Sequence, residues 1–273
     1  MTGVLLTAAI VTAVAAALRG TWSPCGLSML TSLNPVAERA RGHRFWVTAG
    51  WYVTGAAGGG ALLGGGCALL ACGVRALAPG QSAVWAVVLA CAAVGVVSDS
   101  GIAGRRLLPE HPRQVDERWL DTYRRWLYAG GYGVQIGTGF ATYVMTAAVY
   151  LTAVLAVLTG SPARAFAVCL VFGAVRGAVI AVAAPARSPE RLRTLLARVD
   201  ALDRGSLQAA ALVQAAVGAA AGWALGGAWV ALAAAVVLAA TLLLAAGLPV
   251  LPLLPARGDH QVHQPHLLQH RGG

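Results

Sequence analysis

Apolar residues run through this chain in blocks of about 20, the length needed to cross a hydrocarbon core about 30 Å thick. Short polar stretches separate the blocks. The blocks lack the strict alternation of a membrane β-barrel strand, so helices, which satisfy their own backbone hydrogen bonds in lipid, are the predicted elements. Seven spans are expected, at 3–33, 45–73, 83–104, 127–158, 163–186, 206–225 and 229–254. The first, second and fourth exceed what one straight span requires, which predicts tilted or internally broken helices. Only Gly226-Gly227-Ala228 separates the last two, so six spans remain the alternative if that junction is a bend in one helix. The expected organisation is a polytopic transmembrane domain over 1–254 and a flexible tail over 255–273. Met1 to Leu18 is apolar with no basic residue ahead of it, and Arg19 follows, which reads as a retained first helix.

Composition sharpens this picture. Of 273 residues, 58% are hydrophobic and 11% charged, and mean hydropathy is +0.69. A soluble domain carries about 25% charged residues. The net charge of +10 comes from twenty arginines and no lysine. Because the arginines sit between apolar blocks, they speak for membrane orientation and against nucleic acid. Counting loops alternately puts sixteen arginines on one side, including Arg39, Arg41, Arg44, Arg124, Arg125, Arg187 and Arg191, and only Arg75 and Arg164 on the other. The positive-inside rule then places the N-terminus outside and the tail in the cytoplasm of a bacterial inner membrane, with the lipid bilayer as the first partner. Two arginine-rich stretches, 105–126 and 187–204, carry apolar residues at helical spacing and are candidate amphipathic helices on the membrane face.

Candidate chemistry concentrates where the first segment breaks. In Arg19-Gly-Thr-Trp-Ser-Pro-Cys-Gly-Leu, Pro24 cannot donate a backbone hydrogen bond, and Gly20 and Gly26 flank it. A discontinuous helix exposes a reactive or ligand-binding group at membrane depth, here Cys25. The positive end of the second half-helix would favour its thiolate. A kinked packing helix with an inert cysteine is the structural alternative. Cys67, Cys72, Cys91 and Cys169 read as small core residues without zinc-ligand spacing.

Ser23-Pro24-Cys25 resembles the hallmark of the first transmembrane helix of the DsbD/CcdA family, whose members belong with LysE- and TauE-type transporters. The resemblance implies two inverted three-helix repeats, here with one extra C-terminal helix. It also implies transfer of thiol reducing equivalents across the membrane, or maturation of extracytoplasmic proteins such as c-type cytochromes. Its implied partners are cytoplasmic thioredoxin and an extracytoplasmic thiol protein. The repeat would restart in Gly131-Tyr-Gly-Val-Gln-Ile-Gly-Thr-Gly-Phe-Ala-Thr-Tyr143, where Ala141, Thr142 and Tyr143 stand in place of the family's second Pro-Cys.

A second reading is a secondary transporter or exporter of a small anionic solute or a metal. Arg19, Asp99 and Arg176 fall inside apolar blocks, and a charge at mid-bilayer costs about 2.5–3.5 kcal/mol on insertion scales. Such groups pair with one another or line a cavity. An Asp99–Arg176 pair is one expectation, and an anion site at Arg176 is another. Gln135, Gln214, Thr142 and Tyr143 are neutral polar candidates for the same cavity. No P-loop, nucleotide fingerprint or soluble catalytic domain is visible, and no cofactor is expected. His260, His263, His266 and His270 in the tail are candidate ligands for a divalent metal.

Overall fold

The computed structural model describes residues 2–100 and 118–245. Among these residues the chain is all helix and turn, with no strand. The first expected span is α1 (Thr2–Arg19), a 3-10 turn (Gly20–Trp22) and α2 (Pro24–Ser32), followed by the short α3 (Pro35–Ala40). Then come α4 (Phe45–Leu77), α5 (Gln81–Ser100), the single turn α6 (Trp119–Thr122), α7 (Arg125–Gly137) and α8 (Ala148–Leu158). The chain continues through α9 (Pro162–Ala178) with a 3-10 extension (Val179–Ala183), α10 (Pro189–Ala201), α11 (Asp203–Leu225) and α12 (Ala228–Ala245).

Among the described residues, five stretches are long and apolar enough to cross a membrane: Gly3–Trp22, Phe45–Leu77, Gln81–Asp99, Pro162–Ala183 and Asp203–Leu225. Leu62, Leu69, Leu70, Leu77 and Trp223 stand exposed on these helices, as lipid-facing side chains do. The expected fourth span is not one helix. α7 and α8 are separated by the non-helical residues 138–147, of which Thr142 and Val144–Ala147 are buried. Irregular backbone at membrane depth is tolerated only where protein or a wet cavity surrounds it. The junction at 226–227 separates two helices and is no bend. Gly226 and Gly227 both take positive φ (70° and 57°), which ends α11 and reverses the chain so that α12 packs against it.

α4 is the central helix, packed most extensively against α9 and α7. Its glycines set the distance. A Cβ on Gly60 would meet the Cys169 carbonyl at 2.5 Å and the Gly173 Cα at 2.9 Å, and a Cβ on Gly59 would sit 2.8 Å from the Thr138 amide. Lipid is as apolar as a side chain, so helices in a membrane gain from close backbone packing that small residues permit.

Buried side chains form two main clusters. One joins α1, α5, α8, α9 and α11 around Trp85, Leu151 and Phe172. The other gathers Cys25, Met29, Tyr52, Tyr128, Tyr132 and Ile180 from α2, α4, α7 and the end of α9. The amphipathic stretch 187–204 does contain a helix, α10, capped by Ser188 and resting Leu195 and Leu196 on the second cluster. Most of the stretch 105–126, and the tail with His260, His263, His266 and His270, lie outside the described residues.

Candidate functional site

The break in the first span is built by its own residues. Ser23 leaves the helical region (φ −68°, ψ 152°), and its hydroxyl donates to the Gly20 carbonyl (2.7 Å) and accepts from the Gly26 amide (3.0 Å). Pro24 opens α2 at the position where a missing N–H costs nothing. Gly26 is required because a Cβ there would lie 2.5 Å from the Thr21 carbonyl oxygen. Cys25 follows in the first turn of α2, as expected, and is fully buried among Met29, Leu30 and Tyr52.

Facing this break is a small cavity, lined by Gly20, Thr21, Gly26, Tyr52, Ile136 and Arg176 among others. Arg176 enters from the last turn of α9 and is 5% exposed. It makes no hydrogen bond or ion pair among the described residues, and its Nε is buried without a partner. Its guanidinium carbon stands 5.7 Å from the Phe172 ring centroid and lies directly against Gly20, where any Cβ would come within 2.6 Å of it. A desolvated cation with no protein counter-charge is costly unless a ligand supplies one.

The expected Asp99–Arg176 pair does not form. Asp99 instead accepts from the Thr146 hydroxyl (2.5 Å), the Ala147 amide (2.8 Å) and the Gln214 side-chain amide (2.8 Å). It thereby caps the positive end of α8 and neutralises it, together with Thr146, whose hydroxyl accepts from the Ala148 amide (3.1 Å). Arg19 is likewise withdrawn from the cavity. Fully buried, it forms an ion pair with Asp203, bonds Ser206 Oγ at 2.7 Å, and stacks 5.7 Å over the Trp22 ring, tying α1 to α11. Gln135 is half-buried on α7, outside the residues lining the cavity. Thr142 is buried in the break between α7 and α8 with its hydroxyl unpartnered, and Tyr143 packs against the Cys25 and Tyr52 cluster. Only Arg176 and the Gly20–Gly26 break meet at the cavity itself.

None of the five cysteines is in a disulfide. Cys67 and Cys169 are buried together in the cluster where α4 meets α9, far along the chain from Cys25. Among the described residues no group of three His, Cys, Asp or Glu side chains could hold a metal.

One polar cluster escaped the sequence reading. Glu38 on α3 is fully buried. It accepts from the Thr48 hydroxyl and the Tyr128 hydroxyl (3.3 Å), and pairs with Arg41 at 3.1 Å and His43 at 3.6 Å. Its signal was the lone acid among Arg39, Arg41 and Arg44, three residues before Arg41 on one helical turn.

Comparison with known proteins gives three relatives of one name. The chain is 33% identical over 191 residues to methylamine utilization protein MauF of Paracoccus denitrificans, covering 68% of this chain and 67% of that protein. It is 32% identical over 177 residues to MauF of Paracoccus versutus (62% of each chain), and 30% identical over 169 residues to MauF of Methylorubrum extorquens, of which it covers 58%. No family model and no solved structure matches. These relatives overturn the DsbD/CcdA resemblance and the thiol-relay function and thioredoxin partner that it implied. The physical reason lies in the motif. Ser23 is a helix cap and Pro24 a first-turn residue, so Ser-Pro before Cys25 is what any helix restarting at that point favours.

Proposed function

The chain belongs to the family of the methylamine utilization protein MauF, and from that membership we propose that it serves methylamine utilization as a multispanning membrane protein that binds an anionic group at Arg176. The observation that carries the site is the buried, unpartnered guanidinium facing the helix break. Arginine stays protonated at any physiological pH and presents a planar fork suited to a carboxylate or another oxyanion. Methylamine is itself a cation at neutral pH, as alkyl amines with pKa values near that of lysine are. Arg176 repels it. The chamber therefore suits a negatively charged group encountered in the course of methylamine use, and not the amine.

The arginine asymmetry supports an N-terminus outside and the arginine-rich loops in the cytoplasm. The test is gene replacement in the host, with growth on methylamine compared with growth on an unrelated carbon source. Arg176→Gln is expected to reach the membrane at normal levels, to grow normally on the unrelated source, and to fail on methylamine. Arg176→Lys, a point charge without the fork, should rescue only in part. Normal growth of Arg176→Gln on methylamine would sink the site. Normal growth of the deletion strain on methylamine would sink the family role.

A further inference from the structure

We propose that the pocket at the start of α7 binds the phosphate of an anionic phospholipid. The pocket is an open surface hollow lined by His43, Trp51, Tyr123, Arg124, Arg125 and Trp126. Three independent features of these residues converge on one ligand chemistry.

The first is uncompensated positive charge. Neither Arg124 nor Arg125 pairs with a carboxylate among the described residues. The nearby Glu38 is fully buried behind His43 and committed to Arg41, Thr48 and Tyr128.

The second is an open helix end. Arg124 stands at the N-cap of α7 and provides no side-chain cap. The amides of Leu127 and Tyr128 bond the Arg124 carbonyl, while those of Arg125 and Trp126 make no bond among the described residues. Ser23, Asn34 and Ser188 cap α2, α3 and α10, whereas α7, like α4 and α9, carries no side-chain cap. Free first-turn amides beside two guanidinium groups form an oxyanion cradle.

The third is the wall. Trp51, Tyr123 and Trp126 are between 45% and 52% exposed, and Trp46, on the same end of α4, is 64% exposed. Amphipathic aromatic rings half in contact with water mark the headgroup level of a bilayer. α7 enters the apolar interior from this point, on the arginine-rich side of the molecule. A soluble phosphate would need only the cradle, whereas a lipid uses the cradle for its phosphate and the aromatic wall for its glycerol and first acyl carbons.

The experiment titrates the purified full-length protein in detergent with short-chain phosphatidylglycerol, short-chain phosphatidylcholine and inorganic phosphate, following tryptophan emission and bound lipid by native mass spectrometry. Phosphatidylglycerol is expected to saturate one site with at least tenfold higher affinity than phosphatidylcholine. The preference should fall at least tenfold in Arg124→Gln/Arg125→Gln and survive in Arg191→Gln/Arg193→Gln, whose arginines lie exposed on α10, outside the pocket. Should the pocket double variant misfold, Arg125→Gln alone with native melting behaviour carries the same expectation. Equal affinity for the two lipids overturns the proposal, as does equal loss in the α10 variant, which would mean a diffuse surface charge effect. Full competition by inorganic phosphate also overturns it, in favour of a free-anion site.

Discussion

Placing a methyl group on Gly60 should weaken the molecule at its central contact. The added Cβ would sit 2.5 Å from the Cys169 carbonyl oxygen and 2.9 Å from the Gly173 Cα, where ordinary contact begins at 3.4 Å. Both neighbours are backbone, so no side chain can swing away. α4 and α9 must part by about 0.9 Å, and a gap of 0.5–1 Å forfeits a quarter to a half of the attraction between facing atoms. Overpacking of this kind costs about 1–3 kcal/mol. Gly66 on the same helix is the control, because a Cβ there meets nothing within 4 Å. Comparing Gly60→Ala with Gly66→Ala cancels the helix-propensity gain of about 1 kcal/mol that alanine brings to both. Unfolding of the purified protein by a denaturing detergent, followed by tryptophan emission, should place Gly60→Ala about 1–3 kcal/mol below Gly66→Ala. Adding Gly173→Ala should cost less than the sum of the two single changes, because both relieve themselves through one separation of the helices. Equal stability of Gly60→Ala and Gly66→Ala would refute backbone contact between α4 and α9.

Two further outcomes follow from ionic groups. Asp203→Ala leaves the buried Arg19 guanidinium with only Ser206 and a carbonyl, and should cost about 3 kcal/mol, the low end for a stranded buried charge, because the lost carboxylate is half-exposed. Arg19→Met strands nothing and should cost less than Asp203→Ala. The reverse order in denaturant titrations would show that the pair is not what anchors α1 to α11. At the start of α10, the Glu190 carboxylate accepts from its own backbone N–H and from the Ser188 hydroxyl, which holds its pKa below the ordinary value. Its contribution to the helix is therefore present above about pH 4.3, the ordinary glutamate value, and is lost as pH falls through the lower folded value. Carboxyl carbon-13 titration should show that depressed midpoint, and Ser188→Ala should move it upward. An ordinary midpoint in the unaltered protein would contradict the cap.

Local grammar was legible in the sequence, and long-range pairing was not. The apolar blocks located the helices, and Ser23-Pro24 between Gly20 and Gly26 located the first break, because a missing N–H and a cap residue act within four residues. The excess length of the fourth segment suggested a break but not its place. That break spans 138–147 and contains no proline; a partner on another helix, Asp99, sustains it, and no local rule predicts that partner. The intramembrane charges show the same limit. Arg19 and Arg176 look alike in the sequence, yet one meets Asp203, 184 residues away, and the other meets a cavity. Glu38 drew no attention in the sequence because its partners Thr48 and Tyr128 come from α4 and α7. The family, too, was misread from a three-residue motif that helix termination alone accounts for.

The divided fourth segment also constrains how the protein is made. At 1.5 Å per residue, α7 reaches about 20 Å and α8 about 17 Å, so neither half crosses about 30 Å of hydrocarbon alone. The residues between them depend on α5, whose Asp99 holds the start of α8, and on α9, whose Phe172 ring closes over Gly139. α5 leaves the ribosome before this segment and α9 after it. A nascent chain ending at Leu158 would thus carry a half-wrapped break with one wall missing. Insertion of the fourth segment is complete only when the translocon has delivered the fifth, which makes the two a single unit of biogenesis.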